Sequence, residues 1–331
     1  MVSVVVPAWN AERTVVRALR SVLDQGSAVC EVVVVDDASS DRTAEVARSL
    51  GDPRVRVVSQ PENRGACAAR NTGAALAGGT WLTYVDADDW IGPGRLARMV
   101  AAGEAQSADV VADDVYWTSG RARPGPDGTA VGPDGRELAL SALFSDALRS
   151  SLPRWYSGAE FVMGNLPGRA RLNMGLMKPV FRRVFLAEHD LEWDEAVRVG
   201  QDTVFYTDVL AAGARWWMTP EAGYYYVQNA DGISKTSDPI AAVTGRILGN
   251  DRLRARHGRD PELNRSLQRR GRALSWALRR ARFEAARETA GRVAAAARHP
   301  LGALDVAVDR SEYRLRRWWA RLAPTADRQR R

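Results

Sequence analysis

The stretch Tyr84-Val85-Asp86-Ala87-Asp88-Asp89-Trp90 places three carboxylates within four residues, directly after the apolar run Thr80–Val85. Like charges this close repel, and keeping all of them ionised is costly. Either the segment is a solvated acidic loop, or something cationic sits there. An Asp-x-Asp pair at the end of a strand suits a hard divalent cation with oxygen ligands. Mg²⁺ or Mn²⁺ keeps several waters and binds through one or two carboxylates plus substrate phosphates. Asp88 and Asp86 are the candidate ligands. Taken alone, such a triplet is a weak signal.

The elements that must position these residues follow from the hydropathy pattern. Residues 2–6 read as a buried strand, followed by a helix over 11–24 with Val15, Leu19, Val22 and Leu23 on one face. Glu31–Val35 is a second strand, whose four consecutive valines fit a sheet covered on both sides. Ser39-Ser40-Asp41 offers cap residues for a helix over 41–50, and Arg54–Val58 is a third strand. An Ala-rich helix over 65–77 leads to a fourth strand, Thr80–Val85, and Pro93 opens the next helix. This alternation implies an α/β fold, a Rossmann-like, mostly parallel sheet flanked by helices. In such sheets ligands bind beyond the carboxyl ends of the strands. Pro7-Ala8-Trp9-Asn10, Asp36-Asp37 and Asp86-Ala87-Asp88 should therefore converge on one crevice.

Beyond this half the signal weakens. Pro124–Gly135 reads as a loop, 138–149 and 201–212 as helices, and Trp216–Thr219 and Tyr224–Gln228 as short strands. One hydroxyl of Tyr224-Tyr225-Tyr226 could face the site. Asp260-Pro261-Glu262 starts a helical section in which Leu267, Leu274, Leu278, Ala281 and Ala285 keep helical spacing; Pro300 ends it. The expected organisation is a domain over 1–235, with a nucleotide-binding half (1–115) and an acceptor half (116–235). A helical, Arg-rich extension over 236–331 follows.

Composition narrows the class. At 45% apolar and 26% charged residues the chain is an ordinary globular one. Cys30 and Cys67 lie in unrelated segments, which suggests neither a disulfide framework nor a zinc site and fits a reducing compartment. His189, His257 and His299 are too scattered to suggest a metal trio. No run of about 18 apolar residues predicts a spanning helix, and the segment Met1–Pro7 lacks a basic n-region, so no signal peptide is expected. The net charge of +7 is uneven: Arg252–Arg331 carries 22 Arg against 8 Asp/Glu, a net of +14, and the first 251 residues carry −7. A basic tail points to an anionic surface.

Four motifs occur in order: Val2–Asn10, Val32–Thr43 (VVVVDDASSDRT), Asn63–Gly73 (NRGACAARNTG) and Thr83–Trp90 (TYVDADDW). Together they resemble the family 2 glycosyltransferases, inverting enzymes with a GT-A fold. Val199-Gly200-Gln201-Asp202 resembles that family's catalytic segment. Leu176-Met177-Lys178-Pro179, Phe181-Arg182-Arg183 and His189-Asp190-Leu191 resemble its bacterial exopolysaccharide branch, of succinoglycan type. The last 80 residues carry no usable likeness. The resemblance implies roles. Pro7, Ala8, Asn10 and Glu12 would line the nucleotide pocket, and Asp37 would accept from a base N–H. Arg70 and Asn71 would lie near ribose and diphosphate. Asp86, with Ala87, would contact ribose or donor sugar, and Asp88 would ligate Mn²⁺ or Mg²⁺ on the diphosphate. Asp202 would be the general base that deprotonates the acceptor hydroxyl; a plain helix N-cap is its bland alternative. Trp90, Lys178 and Gln201 are acceptor-side candidates, although the family usually has Glu where Gln201 stands.

Other readings compete. Gly92-Pro93-Gly94-Arg95-Leu96-Ala97, with Asp113-Asp114 about 20 residues on, matches a loose dinucleotide fingerprint and would make the chain an oxidoreductase. That fingerprint belongs at the first strand–helix turn, not after the fourth strand. A nucleotidyltransferase would need a Gly-rich, basic phosphate loop after strand one, which Ala8–Glu12 does not supply. A non-catalytic binding protein could use the basic tail, but no nucleic-acid module is recognisable. The expected partners are a nucleoside-diphosphate sugar, most simply a UDP-sugar, and a glycan or lipid-linked acceptor. The expected location is cytoplasmic, peripheral on the inner face of the plasma membrane. Arg314, Arg316, Arg317 and Arg321 surround Trp318-Trp319, the make-up of a basic segment lying at a lipid interface. Deleting residues 305–331 should abolish co-sedimentation with anionic liposomes; unchanged binding sinks the membrane role.

Overall fold

A computed structural model describes residues 1–120, 122–125, 129–167, 174–228 and 238–298, with residues 287–298 as backbone only. The segment 305–331 and Pro300 lie outside the described residues. The chain divides into two compact units, Met1–Leu274 and Ser275–Arg331.

The first half alternates as its hydropathy requires. Strands β1 (Val2–Ala8), β2 (Val29–Asp36), β3 (Val55–Ser59) and β4 (Trp81–Tyr84) alternate with helices α1 (Val15–Leu23), α2 (Thr43–Arg48) and α3 (Ala66–Leu76). All four strands are parallel, in the order β4-β1-β2-β3, with Val4 set between Val32 and Thr83. The valines of β1 and β2 are fully buried, as expected of strands covered on both faces. Ala8 pairs with Asp36, so the polar residues that follow both strands emerge at one edge.

The second half adds β5 (Trp90–Ile91), α4 (Arg95–Gln106), β6 (Val110–Ser119), the hairpin β7–β8 (Arg123–Pro124 and Ala130–Val131) and β9 (Ser141–Ala142). It continues with α5 (Asp146–Arg149), β10 (Arg154–Tyr156), α6 (Gly158–Gly164), β11 (Val180–Arg182), α7 (Arg183–Glu188), α8 (Gln201–Ala211) and β12 (Trp216–Gln228). The full order is β10-β12-β6-β11-β4-β1-β2-β3. β11 runs antiparallel between β4 and β6, while β12 is parallel to β6.

Three local expectations change. The helix over 138–149 shrinks to α5, and the two short strands after Trp216 are one strand with register shifts between Met218 and Tyr224. β6, central to the sheet, was hidden by Asp113 and Asp114, which interrupt its apolar pattern. In the fold each is neutralised by a distant arginine. Arg95 grips Asp113 with two bonds, at 2.8 and 2.6 Å, and Arg149 pairs with Asp114. Arg95 and Asp113 are both buried. A buried ion pair that loses one partner leaves an uncompensated charge. Arg95→Met should therefore cost about 3–5 kcal/mol in denaturant unfolding, and Arg95→Met with Asp113→Leu should recover part of that; no recovery would contradict the charge argument.

Two helices close the described chain, α9 (Pro239–His257) and α10 (Pro261–Arg298). Asp260 caps α10, accepting from the N–H groups of Glu262 and Leu263. In the second unit, Arg280 pairs with Glu284 at 2.7 Å and lies over Trp276. In the first unit, α9 is ionically latched to α8 and to the segment before it. Arg252 and Arg256 both bond Asp194, at 2.5 and 2.9 Å, and Arg256 forks onto Asp208 of α8. His257 Nε2 lies 2.6 Å from the same Asp208. Burial pushes the Asp194 carboxyl up, but Arg252 and Arg256 outweigh it and hold the group below its ordinary value. A depressed carboxylate adds stability above its unfolded value of about 4 and loses it as pH falls. The stability difference between wild type and Asp194→Asn should therefore shrink below about pH 4; a difference that persists unchanged at lower pH would refute the latch.

Candidate active site

Five side chains from four regions form a continuous polar chain beyond β4. Asp86 follows that strand. Its Oδ1 accepts from Arg70 Nη2 at 2.9 Å, and its Oδ2 lies 3.2 Å from Lys178 Nζ. The same ammonium donates to Asp202 Oδ1 at 3.1 Å, in the first turn of α8. Arg70 Nη1 donates to Gln201 Oε1 at 3.0 Å. Arg70 is on the buried face of α3 and lies 4.5 Å over the Trp193 ring, which stacks on Phe205 of α8. Lys178 and Arg70 are buried, whereas the Asp86 and Asp202 side chains keep 24% and 23% exposure and so face an opening.

The electrostatics are mutual. Burial would lift the Asp86 carboxyl, but Lys178 and Arg70 hold it well below the carboxylate range. Burial would lower the Lys178 ammonium, but Asp202 and Asp86 raise it above its ordinary value, so it stays charged. Lys178 itself is fixed through the backbone. The carbonyls of Met177, Lys178 and Pro179 accept from Tyr206, Arg95 and Thr83, at 2.7, 2.7 and 2.8 Å.

The three crowded carboxylates have three separate surroundings. Asp86 is bracketed by cations. Asp89 is buried, accepting from the Tyr224 hydroxyl at 2.5 Å and the Val227 N–H at 2.7 Å. Burial and then the neighbouring Asp88 and Asp86 push its acidity well toward the neutral form. The Tyr224 hydroxyl also accepts from the Asp86 N–H, tying the turn to β12. Asp88 stands between them, half-buried, its main-chain carbonyl bonded by Arg17. Among the described residues no three His, Cys, Asp or Glu side chains cluster as a ready-made cation cage. One or two carboxylates at a turn match an ion whose remaining ligands are water and substrate phosphate. Asp88 fits that part. Both Asp86 oxygens are engaged by cations, so Asp86 does not fit as a second ligand.

At the other strand ends, two loops interlock. Asn10, at a positive φ of 49°, accepts from the Ser40 N–H and donates its own N–H to Ser39 Oγ. Glu12 accepts from the Arg42 N–H at 3.1 Å and donates its own N–H to Asp41. Asp37 is buried, and its two oxygens accept from the Arg64 and Gly65 N–H groups at 2.8 and 2.7 Å. A carboxylate has about four acceptor positions, so these two bonds leave others. Pro7 and Ala8 form the floor beside them, since the Asp37 N–H donates to Ala8 O. Ala87 is buried under the turn.

Two expected residues lie elsewhere. Trp90 is 1% exposed, stacked on Tyr225 and covered by Arg17, so its ring cannot reach a sugar. Asn71 spends its whole side-chain amide on Trp193, donating to its carbonyl and accepting from its N–H. It positions the Arg70 stack and does not reach outward. The N-cap alternative for Asp202 also falls. The cap is Gly200, in a left-handed conformation, and Asp202 is the second helical residue. The fingerprint Gly92–Ala97 is consumed internally, with the Leu96 N–H on Gln25 Oε1 and the Gly92 N–H on Gly223 O. Asp113 and Asp114 pair with Arg95 and Arg149.

Residues missed from sequence include Trp9, 48% exposed at the β1 end, and Arg17 and Trp193, which hold the site from behind; of the three tyrosines in Tyr224–Tyr226, it is the Tyr224 hydroxyl that reaches the acidic turn. Only Trp9 had a local signal, an exposed aromatic inside a motif already noted.

Comparisons with known proteins give the family and the fold. The model of "Glycosyl transferase family 2" matches residues 3–185. The chain is 38% identical over 234 residues to the succinoglycan biosynthesis protein ExoO of Rhizobium meliloti (strain 1021), a match covering 71% of this chain and 62% of that protein. It is 33% identical over 278 residues to succinoglycan biosynthesis protein ExoU of the same organism, covering 78% and 75%. Among solved structures, S. aureus TarS 1–349 in complex with UDP-GlcNAc superposes with a TM-score of 0.59 at 18% identity, over 86% of this chain and 80% of that one. The mannosyltransferase PcManGT from Pyrobaculum calidifontis, in complex with GDP-Man and Mn²⁺, gives 0.55 at 22% identity, over 92% and 79%. These two likenesses show the fold, which is GT-A. The ordered motifs, the sheet and the matched span together make this chain a member of glycosyl transferase family 2.

Proposed function

We infer that the chain is an inverting, metal-dependent glycosyltransferase. It moves a sugar from a nucleoside-diphosphate sugar, with UDP the favoured nucleotide, to a glycan or lipid-linked acceptor in exopolysaccharide or cell-envelope synthesis. The observation that carries this reading is the Asp86–Lys178–Asp202 chain, in which one buried ammonium joins a donor-side carboxylate to a carboxylate at the head of α8. The names of ExoO and ExoU, and the UDP-GlcNAc and GDP-Man bound to TarS and PcManGT, support the reaction class and the donor type.

In this reading Asp202 is the general base. Lys178 holds its Oδ1, and Oδ2 has no partner among the described residues, so that oxygen can take the proton of an acceptor hydroxyl. The acceptor oxygen then attacks the anomeric carbon as the nucleoside diphosphate leaves from the opposite face, which inverts the configuration. Asp88 would hold Mn²⁺ or Mg²⁺ together with the donor diphosphate; such an ion, when bound, offsets charge on the leaving group. Arg70 and Asp86 face the ribose and donor sugar. Pro7, Ala8, Asn10, Glu12 and Asp37 line the base and ribose pocket, where the exposed indole of Trp9 offers a stacking face. Gln201 faces the acceptor, held by Arg70 and by its own bond to Arg198 O. Among the described residues no helix is long and apolar enough to cross a membrane. A place on the inner membrane face therefore rests on the sequence of 305–331.

The test is a screen of UDP-, GDP- and dTDP-sugars with Mn²⁺ or Mg²⁺, by binding and by slow donor hydrolysis. Asp88→Ala should lose metal-dependent donor binding. Asp202→Asn should still bind donor and turn over about 10²-fold or more slowly. Absence of nucleotide binding with either metal, or full turnover by Asp202→Asn, rejects the mechanism.

A further inference from the structure

A second polar cluster in the first unit is made almost entirely of hydrogen-bond donors. Arg270 of α10 is 3% exposed, and among the described residues its hydrogen bond is from Nη1 to Asn250 Oδ1 at 3.3 Å. Arg270 Nε and Asn250 Nδ2 are both buried without an acceptor. Asn250 is fully buried on α9, one helical turn beyond Arg246, so the two share a face. Arg246 is exposed, and it is the like charge that Arg270 feels. Among the described residues, neither arginine has a carboxylate partner. Buried charges are ordinarily paired, because an unpaired one loses its hydration with nothing in return. Two guanidinium groups and an amide, with buried donors lacking acceptors, are a site built for an oxyanion.

The position of the cluster says whose oxyanion it is. The stem of Arg246 packs against Gly200: a Cβ added there would sit 3.3 Å from Arg246 Cγ. Gly200 caps α8 and precedes Gln201 and Asp202. The cluster therefore borders the helix end that carries the base, and the partial positive charge of that end adds to the attraction. In the proposed reading the donor diphosphate is held with the metal at Asp88.

We propose that Arg246, Arg270 and Asn250 form an oxyanion subsite that holds a phosphate carried by the acceptor while Asp202 takes the proton from its hydroxyl. The assignment to the acceptor rests on the glycosyltransferase reading above; the oxyanion site does not. Burial and Arg246 together lower the Arg270 guanidinium to about 10, as a cation awaiting a counter-charge should be.

The experiment is thermal unfolding of the full-length chain in a low-anion buffer, with inorganic phosphate, pyrophosphate or decyl diphosphate added. Wild type, Arg246→Ala and Arg270→Met are compared, and UDP binding with Mn²⁺ is measured on each. With the probe at about ten times its Kd, wild type should gain about 3 °C from pyrophosphate and from decyl diphosphate. Both variants should lose that gain yet retain UDP binding. Without anion, Arg270→Met should melt no lower than wild type, because it removes an uncompensated buried charge. Arg246 is exposed, so Arg246→Ala keeps the test sound if Arg270→Met folds poorly. A shift with free phosphates but none with decyl diphosphate overturns the acceptor assignment. Shifts that persist in both variants, or no shift in wild type, overturn the subsite and leave a buried water as the filler. Loss of UDP binding in wild type would instead strike the donor reading, and the phosphate arm would still decide the oxyanion site.

Discussion

One buried ammonium organises this molecule. Lysine is rarely buried, because losing its hydration costs several kcal/mol unless charge and hydrogen bonds replace it. Lys178 is buried and stays charged only because Asp86 and Asp202 both reach it. That requirement brings together the end of β4, the approach to β11 and the head of α8. The segment that carries Lys178 is pinned by three successive carbonyls, each bonded by a side chain from a different element. Arg95, which supplies one of those bonds, is itself fixed by Asp113 of β6. The core ion pair and the site are thus one construction: the pair that lets a charged strand lie inside the sheet also sets the position of the lysine.

The same logic resolves the crowding of Asp86, Asp88 and Asp89. Repulsion among three carboxylates is removed by giving each a different environment. Two cations neutralise the first, a tyrosine hydroxyl and a backbone N–H in a dry pocket favour the neutral form of the last, and the middle one stays half-buried. A site arranged in this way is preorganised. Its charges are in place before substrate arrives, and no reorganisation is needed when charge develops. Tyr224 does two jobs here, since its hydroxyl orders both Asp86 and Asp89 from β12, about 135 residues along the chain.

The parts legible in the sequence are those whose causes are local. The valine runs of β1 and β2, the polar residues just past them and the aspartates after β4 could be read because strand, turn and carboxylate are neighbours in the chain. β6 could not, since Asp113 and Asp114 make sense only with Arg95 and Arg149, which arrive from elsewhere. Asn71 and Trp90 were misplaced for a related reason. Their types suit ligand contact, and only the fold shows that Trp193 occupies the amide and that Tyr225 and Arg17 cover the ring. Residue type fixes what a side chain can do; long-range packing fixes what it is free to do.

On the proposed reading this division follows the two substrates. The proposed donor side is built from strand-end loops locked to one another by side chains, Asn10 to Ser40 and Asp37 to Gly65, and it lies within the span that the family model covers. Asp202 and the helices beyond it lie outside that span. They are held by charges far apart in sequence, Arg256 to Asp194 and Asp208 among them. Loops interlocked within one half of the sheet change little when segments outside that half vary. If these helices form the acceptor side, as proposed, long-range ionic contacts of this kind can be rebuilt by altering a few arginines on α9 and α10, with the sheet, the carboxylates and the lysine left as they are. On the proposed reading, the fold thus separates what the reaction requires from what selects the acceptor.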